Sequence, residues 1–397
     1  MLLAPILAAE AARRLLSPGP PPLAPRAVQP HEYFTAEEVA RGARFARPQL
    51  ALALGREAVA GATLVGAVLA SRRRRLPAWA LGRGPLAGGA IVAGGLTTAL
   101  TAAGLPLAAI ARRRALAVGL VTQSWRGWAG DLVKATAIEA ALSGAAGAAT
   151  VAVTRRYPRG WWLPLAAGAA GLGAGIGALA PVLLDPLFNR FDPLPEGETR
   201  SDVLALAAAA GARVGEVYRV DASRRTTGAN AYVTGLGPSK RVVLFDTLLS
   251  SFGRDEVRVV VAHELAHVRG GDVLRGVAFT ALTAPAAALA VQRLSWWLSP
   301  HRGTPEAIPA LALAGAVVLA PVSLVGTRLA RALERRADHF SLELSRAPEA
   351  FVSFERRIAL QNVADLDPPR WVSRLLATHP PTLERIGAAL AFAEACG

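Results

Sequence analysis

Two of the six histidines in this 397-residue chain stand four apart, with a glutamate directly after the first, in VVVAHELAHVRGGD at residues 259–272. On an α-helix, residues four apart stack on one face, so His263 and His267 can direct imidazole nitrogens at a single ion. Glu264 lies about 100° further round the axis, placed to take a proton from water beside that ion without ligating it. A catalytic zinc keeps three protein ligands and one open position, the arrangement that activates water for hydrolysis. The single cysteine, Cys396, leaves no cysteine-based zinc site and no intramolecular disulfide.

The third ligand must come from elsewhere in the chain. Glu334, in RALERRADHFSLEL, is a better candidate than His31, His301, His339 or His379. That segment is helical by pattern, and Glu334 and Asp338 share one face four residues apart. The first can therefore ligate while the second orients a ligand imidazole. Taken alone, the two acids read as an exposed face paired with Arg331 or Arg335; the His-Glu-x-x-His pattern is what turns them into ligand and partner. A closed structural zinc would need a fourth ligand, for which His339 is the nearby candidate, and five residues on from Glu334 it points away on a helix.

The elements that must position these residues are largely apolar. Hydrophobic residues make up 52% and charged residues only 18%, a balance that indicates a membrane protein. Residues 84–111 and 160–184 carry no charge, and each exceeds the roughly 20 residues a helix needs to cross about 30 Å of hydrocarbon. Residues 276–292, extendable through Trp296-Trp297, and 307–327 qualify by the same measure. Residues 48–71 and 132–154 are interrupted by Arg56-Glu57 and by Lys134 and Glu139. The expectation is a mainly α, polytopic membrane protein of about six transmembrane helices. Arg56, Glu57 and Glu139 are costly against lipid, so they are expected to face a wet interior or one another. The net charge of +15 does not point to nucleic acid, because the arginines cluster at span ends (Arg72–Arg75, Arg112–Arg114, Arg155-Arg156), where they meet anionic headgroups. MLLAPILAAEAARR has no basic residue ahead of its apolar run and reads poorly as a cleaved leader.

Five segments follow. Residues 1–47 hold a short helix, the proline-rich connector SPGPPPLAPRAVQP and a Thr35–Glu38 capping box. Residues 48–185 hold four spans. Residues 186–275 are polar and periodic: VLALAAAAGARV reads as a helix ended by glycine and EVYRVDAS as a strand. NAYVTGLGPSKRVVLFDTLL reads as two strands around a Gly-Pro-Ser-Lys turn. Residues 276–327 hold two further spans and 328–397 a second soluble segment, so a small-sheet hydrolase unit is split around a membrane hairpin.

Four stretches carry a family likeness: FNRFDPL (188–194), NAYVTGLGPSKRVVLFDTLL (230–249), VVAHELAHV (260–268), and ERRAD (334–338) with THPPTLERI (378–386). In order and spacing they resemble the type I CAAX prenyl proteases, membrane zinc endopeptidases of the gluzincin group, and their bacterial relatives. The resemblance implies one Zn²⁺ per chain on His263, His267 and Glu334, with Glu264 as general base and Asp338 as its ligand's partner. It implies that His379 helps stabilise the oxyanion, and that Asn230, Ala231 and Tyr232 begin a strand that binds the substrate backbone. It departs from the eukaryotic members in two ways: no full span in the first 47 residues, and only a short link from Leu249 to His263. HVRGGDVL is similar to the sister branch of membrane quality-control proteases.

The expected activity is hydrolysis of membrane-associated or lipid-modified, CAAX-like peptides. Broad-specificity quality control is the alternative, and a transporter or scaffold with structural zinc a remote one. Expected partners are peptide or protein substrates and membrane lipids, with no nucleic acid. With six spans both soluble segments share one side. The arginine balance makes that side cytoplasmic, in the inner membrane of a bacterial cell, although Arg72–Arg75 lies opposite.

Overall fold

The computed structural model describes residues 2–73, 76–235 and 240–396, and leaves undescribed the side chains at 80, 173, 174 and 176–182. The first half is helical: α1 (Leu3–Leu16), α2 (Pro30–Tyr33), α3 (Ala36–Arg72), α4 (Ala78–Leu81), α5 (Pro85–Ala117), α6 (Trp125–Arg156) and α7 (Trp162–Leu183). Thr35 starts α3 as its composition requires: its hydroxyl accepts from Glu38 N–H while the Glu38 carboxylate accepts from Thr35 N–H. Small residues let α5 and α6 close to backbone contact. A Cβ on Gly147 would come within 2.5 Å of Gly89 O and of the Ala93 side chain, and one on Gly94 within 2.9 Å of Ala140 O. That is how helices associate when lipid provides no hydrophobic drive.

The second half contains β1 (Phe191–Pro193), α8 (Glu198–Ala209), β2 (Glu216–Val220), β3 (Ala231–Thr234), β4 (Arg241–Phe245), α9 (Asp246–Ser251), α10 (Arg254–Gly270), α11 (Asp272–Leu298), α12 (Ile308–Ser345), α13 (Pro348–Gln361) and α14 (Thr382–Cys396). The strands form one mixed sheet in the order β1-β2-β4-β3, with β2 and β4 parallel and both outer pairings antiparallel. β3 is an edge strand, as its position beside the site requires. The expected Gly-Pro-Ser-Lys turn falls largely on residues 236–239, outside the described residues. α8 ends at Gly211, whose φ of +68° makes glycine the natural residue there. One face of the sheet packs on α8, α10 and α13 through Leu206, Val217, Leu244, Val261, Leu265 and Phe354.

Five described helices are long and apolar enough to cross a membrane: α3, α5, α6, α11 and the stretch 305–345 containing α12. The sixth expected span, 159–185, coincides with α7, part of whose side chains lies outside the described residues. Of the arginines at 72–75, residues 74 and 75 also lie outside them. The spans pack in sequence α3–α5–α6, then α7–α11–α12, with α12 returning to α3 and α6 touching α7 only marginally. Arg56, Glu57 and Glu139 are exposed on these helices. α1 lies along α11 and α12 as a short apolar helix exposing Leu3 and Leu7.

α12 has no break at residue 327. The helix continues unbroken into the segment bearing Glu334 and Asp338, so one helix is both span and site. The loop between α5 and α6 ties the spans to the sheet unit: Val121 bridges Thr226, Thr122 N–H donates to Arg225 O, and Thr227 N–H donates to Leu120 O.

Candidate metal centre

α10 places His263 and His267 on one face, and Gly271 ends it. This residue adopts φ 65°, ψ 36°, the left-handed cap that turns the chain directly into α11. α12 crosses α10 and delivers Glu334. His263 Nε2 lies 3.2 Å from Glu334 Oε2 and 3.2 Å from His267 Nε2, and His267 Nε2 is 3.6 Å from Glu334 Oε1. Taken one donor atom per residue, the three groups lie within 4.8 Å of one another. Glu334 Oε2 is buried and has no hydrogen-bond partner. A buried carboxylate oxygen without a donor is costly unless a cation meets it, and two imidazoles with one carboxylate form the donor set of a catalytic zinc. These residues fit the metal.

Both imidazoles are held from behind. His267 Nδ1 is 2.8 Å from Asp272 Oδ2, and Asp272 in turn accepts from Arg336 at 2.7 Å. His263 Nδ1 is 2.9 Å from Asp338 Oδ1, approached obliquely enough that the nitrogen forms no regular hydrogen bond. Asp338 is 2% exposed and takes a two-pronged contact from Arg385, Nη2 to Oδ1 at 2.6 Å and Nε to Oδ2 at 3.0 Å. Arg385 Nη1 also lies 2.6 Å from Glu355 Oε1, so one buried guanidinium joins two buried carboxyls. Burial pushes the Glu355 carboxyl up to about 7, with Asp338 adding to the rise and Arg385 opposing it.

A cleft of about 160 Å³ opens beside the imidazoles and is lined by Asn230, Ala231, His263, Glu264 and His379 among others. Burial raises the Glu264 carboxyl above its ordinary value, opposed by His263 and His267. His379 stands at the mouth, its side chain 62% exposed, with Nε2 3.4 Å from Glu334 Oε2. Thr378 Oγ1 lies 3.0 Å from its Nδ1. The protein wall on its inner side lowers the His379 pKa, opposed by the Glu334 carboxylate. With the Thr378 hydroxyl donating to Nδ1, Nε2 carries the hydrogen and faces the cleft.

Asn230 O accepts from Phe245 N–H, which fixes the alternation along β3. The main-chain groups of Ala231 and Val233 therefore point to the free edge, where the Ala231 N–H donates to Asn230 Oδ1 at 2.9 Å. Tyr232 sits otherwise than its neighbours. Its ring packs on the far face of the sheet, 6.5 Å from the Phe245 ring and among Val220, Ala222 and Val243. The period of two sends its side chain away from the cleft that Ala231 lines. His339 is turned away too, pairing with Glu343 and lying against the Phe392 ring.

The sequence profile of peptidase family M48 matches residues 193–393, half of the chain and the whole of this site. The chain belongs to peptidase family M48. It is 30% identical over 300 residues to "Uncharacterized metalloprotease YhfN" of Bacillus subtilis (strain 168), covering 73% of this chain and 70% of that one. Over 105 residues it is 40% identical to "CAAX prenyl protease 1" of Saccharomyces cerevisiae, covering 26% of this chain and 23% of that one. The crystal structure of S. mikatae Ste24p shares the fold end to end, with a TM-score of 0.79 at 18% identity over 98% of this chain and 96% of that one. With five apolar helices among the described residues, this M48 chain is an integral membrane metalloprotease.

Three groups of the M48 site escape the sequence reading: Asp272, Arg385 and Glu355. Asp272 had a local signal, an acid just beyond the Gly-Gly cap and five residues from His267. Arg385 lies inside THPPTLERI, yet nothing in its spacing ties it to Asp338. Gly270 carries a steric requirement of its own, since a Cβ there would overlap the Arg336 guanidinium that reaches Asp272.

Proposed function

We propose that the chain is a zinc-dependent endopeptidase that hydrolyses peptide bonds in membrane-associated segments, lipid-modified CAAX-type peptides among them. The observation that carries this reading is the convergence of His263, His267 and the undonated Glu334 Oε2 on one point beside Glu264. Zn²⁺ held by these three residues supplies a Lewis acid that acidifies water and polarises a carbonyl. Glu264, on the cleft wall, accepts the proton of the attacking water and passes it to the leaving amine nitrogen. His379 Nε2–H donates to the carbonyl oxygen as its negative charge grows. Asp338 and Asp272 hold the ligand rings in register. The β3 edge pairs with an extended substrate through the Ala231 carbonyl and the outward main-chain groups of Val233, the Ala231 N–H being held by Asn230 Oδ1. Asn230 lines the same cleft, and Tyr232 serves through its place in the strand rather than its ring.

Main-chain recognition on a short edge strand also favours a second reading, a protease of broad specificity toward unfolded membrane proteins. We read the site as lying on the cytoplasmic side of a bacterial inner membrane, a reading the arginine balance around the spans supports.

The test is Glu264→Gln. The variant is expected to keep wild-type zinc content and lose about 10²–10⁴-fold in cleavage of casein or a reporter peptide. Equal cleavage by both proteins refutes the mechanism. A farnesylated peptide cut no faster than its unmodified twin favours the broad-specificity reading.

A further inference from the structure

A groove of about 810 Å³ lies on the peptidase side of the spans, between the end of α1, α12 and the 366–384 segment. Arg13, Arg328, Arg331, Arg335, Arg370 and Arg374 line it, against Asp367 and Glu384. Arg335 is paired with Glu384, and Arg13 and Arg328 share Glu10. Arg331 is 7% exposed and donates to the carbonyls of Ala377 and Arg374. Among the described residues no carboxylate pairs with Arg331, Arg370 or Arg374. The groove therefore holds an excess of cations, one of them buried, and a buried cation without an anion is unfavourable.

Its level in the fold says what kind of anion it suits. Residues 307–327 of the last span carry no charge, and Arg328 is the first charged residue beyond them, so the groove begins where the apolar zone ends. Trp371 and Leu375 are exposed at 48% and 45%, and Thr327 donates to Leu375 O at 3.0 Å, holding that segment at the same boundary. Tryptophan and arginine together at this depth suit a bilayer interface. A nucleic acid or an acidic peptide would have no use for an apolar rim facing the hydrocarbon.

We propose that this groove binds the phosphate headgroup of an anionic phospholipid from the leaflet on the peptidase side, its acyl chains running into the apolar zone beside α1 and α12. Arg331 also holds the carbonyl of Ala377, two residues ahead of His379. The bound headgroup thus sits against the loop that carries the cleft histidine.

The test takes purified full-length protein from nanodiscs of phosphatidylcholine, with or without phosphatidylglycerol, and counts retained lipid by native mass spectrometry. Retention of phosphatidylglycerol over phosphatidylcholine is expected. Arg370→Ala with Arg374→Ala, both exposed and outside the cleft, is expected to lower that retention about 20-fold at unchanged Tm, from two lost cation–headgroup attractions. If the double variant loses its fold, Arg374→Gln alone carries the test, with about a fivefold loss expected. Equal retention by wild type and variant, or equal retention of both lipids, overturns the proposal. If tens of millimolar inorganic phosphate displaces the lipid and raises Tm by itself, the site is one for free phosphate and the lipid assignment fails. No substrate enters the measurement, so its outcome is independent of the peptidase reading.

Discussion

Each imidazole of the cluster presents Nε2 because its Nδ1 is turned onto a carboxylate, Asp338 behind His263 and Asp272 behind His267. Such partners fix ring orientation and raise ligand basicity. Asp272→Ala is expected to weaken zinc binding about 10–100-fold, measured by competition with a chelator, while the fold survives. Unchanged affinity would leave the aspartate a bystander of the Gly-Gly cap. Glu355 offers a separate test. Its folded pKa of about 7 lies above the ordinary 4.5, and it is faced by Arg385 from α14, Asp338 from α12 and His263 from α10. Between those two values the unfolded chain has released the proton and the folded chain has not, so this group's contribution to stability declines as pH rises through the window. Glu355→Gln cannot ionise and is expected to gain Tm relative to wild type from pH 5 to 7.5, both zinc-loaded. A constant Tm difference would remove the effect. At this scale the His263–His267 pairing was readable because a four-residue spacing is local to one helix. Arg385 and Glu355 were not, because their meeting depends on α13 and α14 packing against α12, which no spacing encodes.

Among the elements, β3 contributes chiefly through what it leaves unpaired. Its pairing to β4 consumes the main-chain groups of Asn230 and Tyr232, and the Ala231 N–H is taken by Asn230 Oδ1, so the Ala231 carbonyl and the main-chain groups of Val233 remain at the free edge. A substrate N-methylated at residues whose N–H faces this edge is expected to show KM raised about 2–10-fold per position. Methylation at the intervening residues should have no such effect, since each hydrogen bond contributes about 0.5–1.5 kcal/mol. Loss at every position alike would argue against strand pairing. Both strands and the helix that carries His263 and His267 were legible from residue periodicity and from the glycines Gly235 and Gly271. The continuity of α12 was not: hydropathy falls sharply at Arg328, whereas the backbone hydrogen bonds that define a helix are indifferent to that change.

For the whole molecule, the question is which side of the membrane carries the split peptidase unit. Cys396 is the sole cysteine and is exposed on that unit, so it reports the side directly. A membrane-impermeant maleimide is expected to label it only after intact spheroplasts of the expression host are permeabilised; labelling beforehand would reverse the orientation. Five of the six expected spans were legible because lipid demands long uncharged runs, and the way the spans ring together was not, because glycine contacts such as Gly89 with Gly147 leave no periodic signature. The unbroken α12 has a mechanical corollary. At about 1.5 Å per residue its 38 residues extend roughly 57 Å, and the stretch anchored in hydrocarbon, which includes Pro321, runs on as one helix to Glu334. A bilayer thinner or thicker than the apolar stretch tilts such a rod, and the far end of a tilted lever moves farthest. Membrane thickness then becomes an input to the spacing between a carboxylate and two imidazoles.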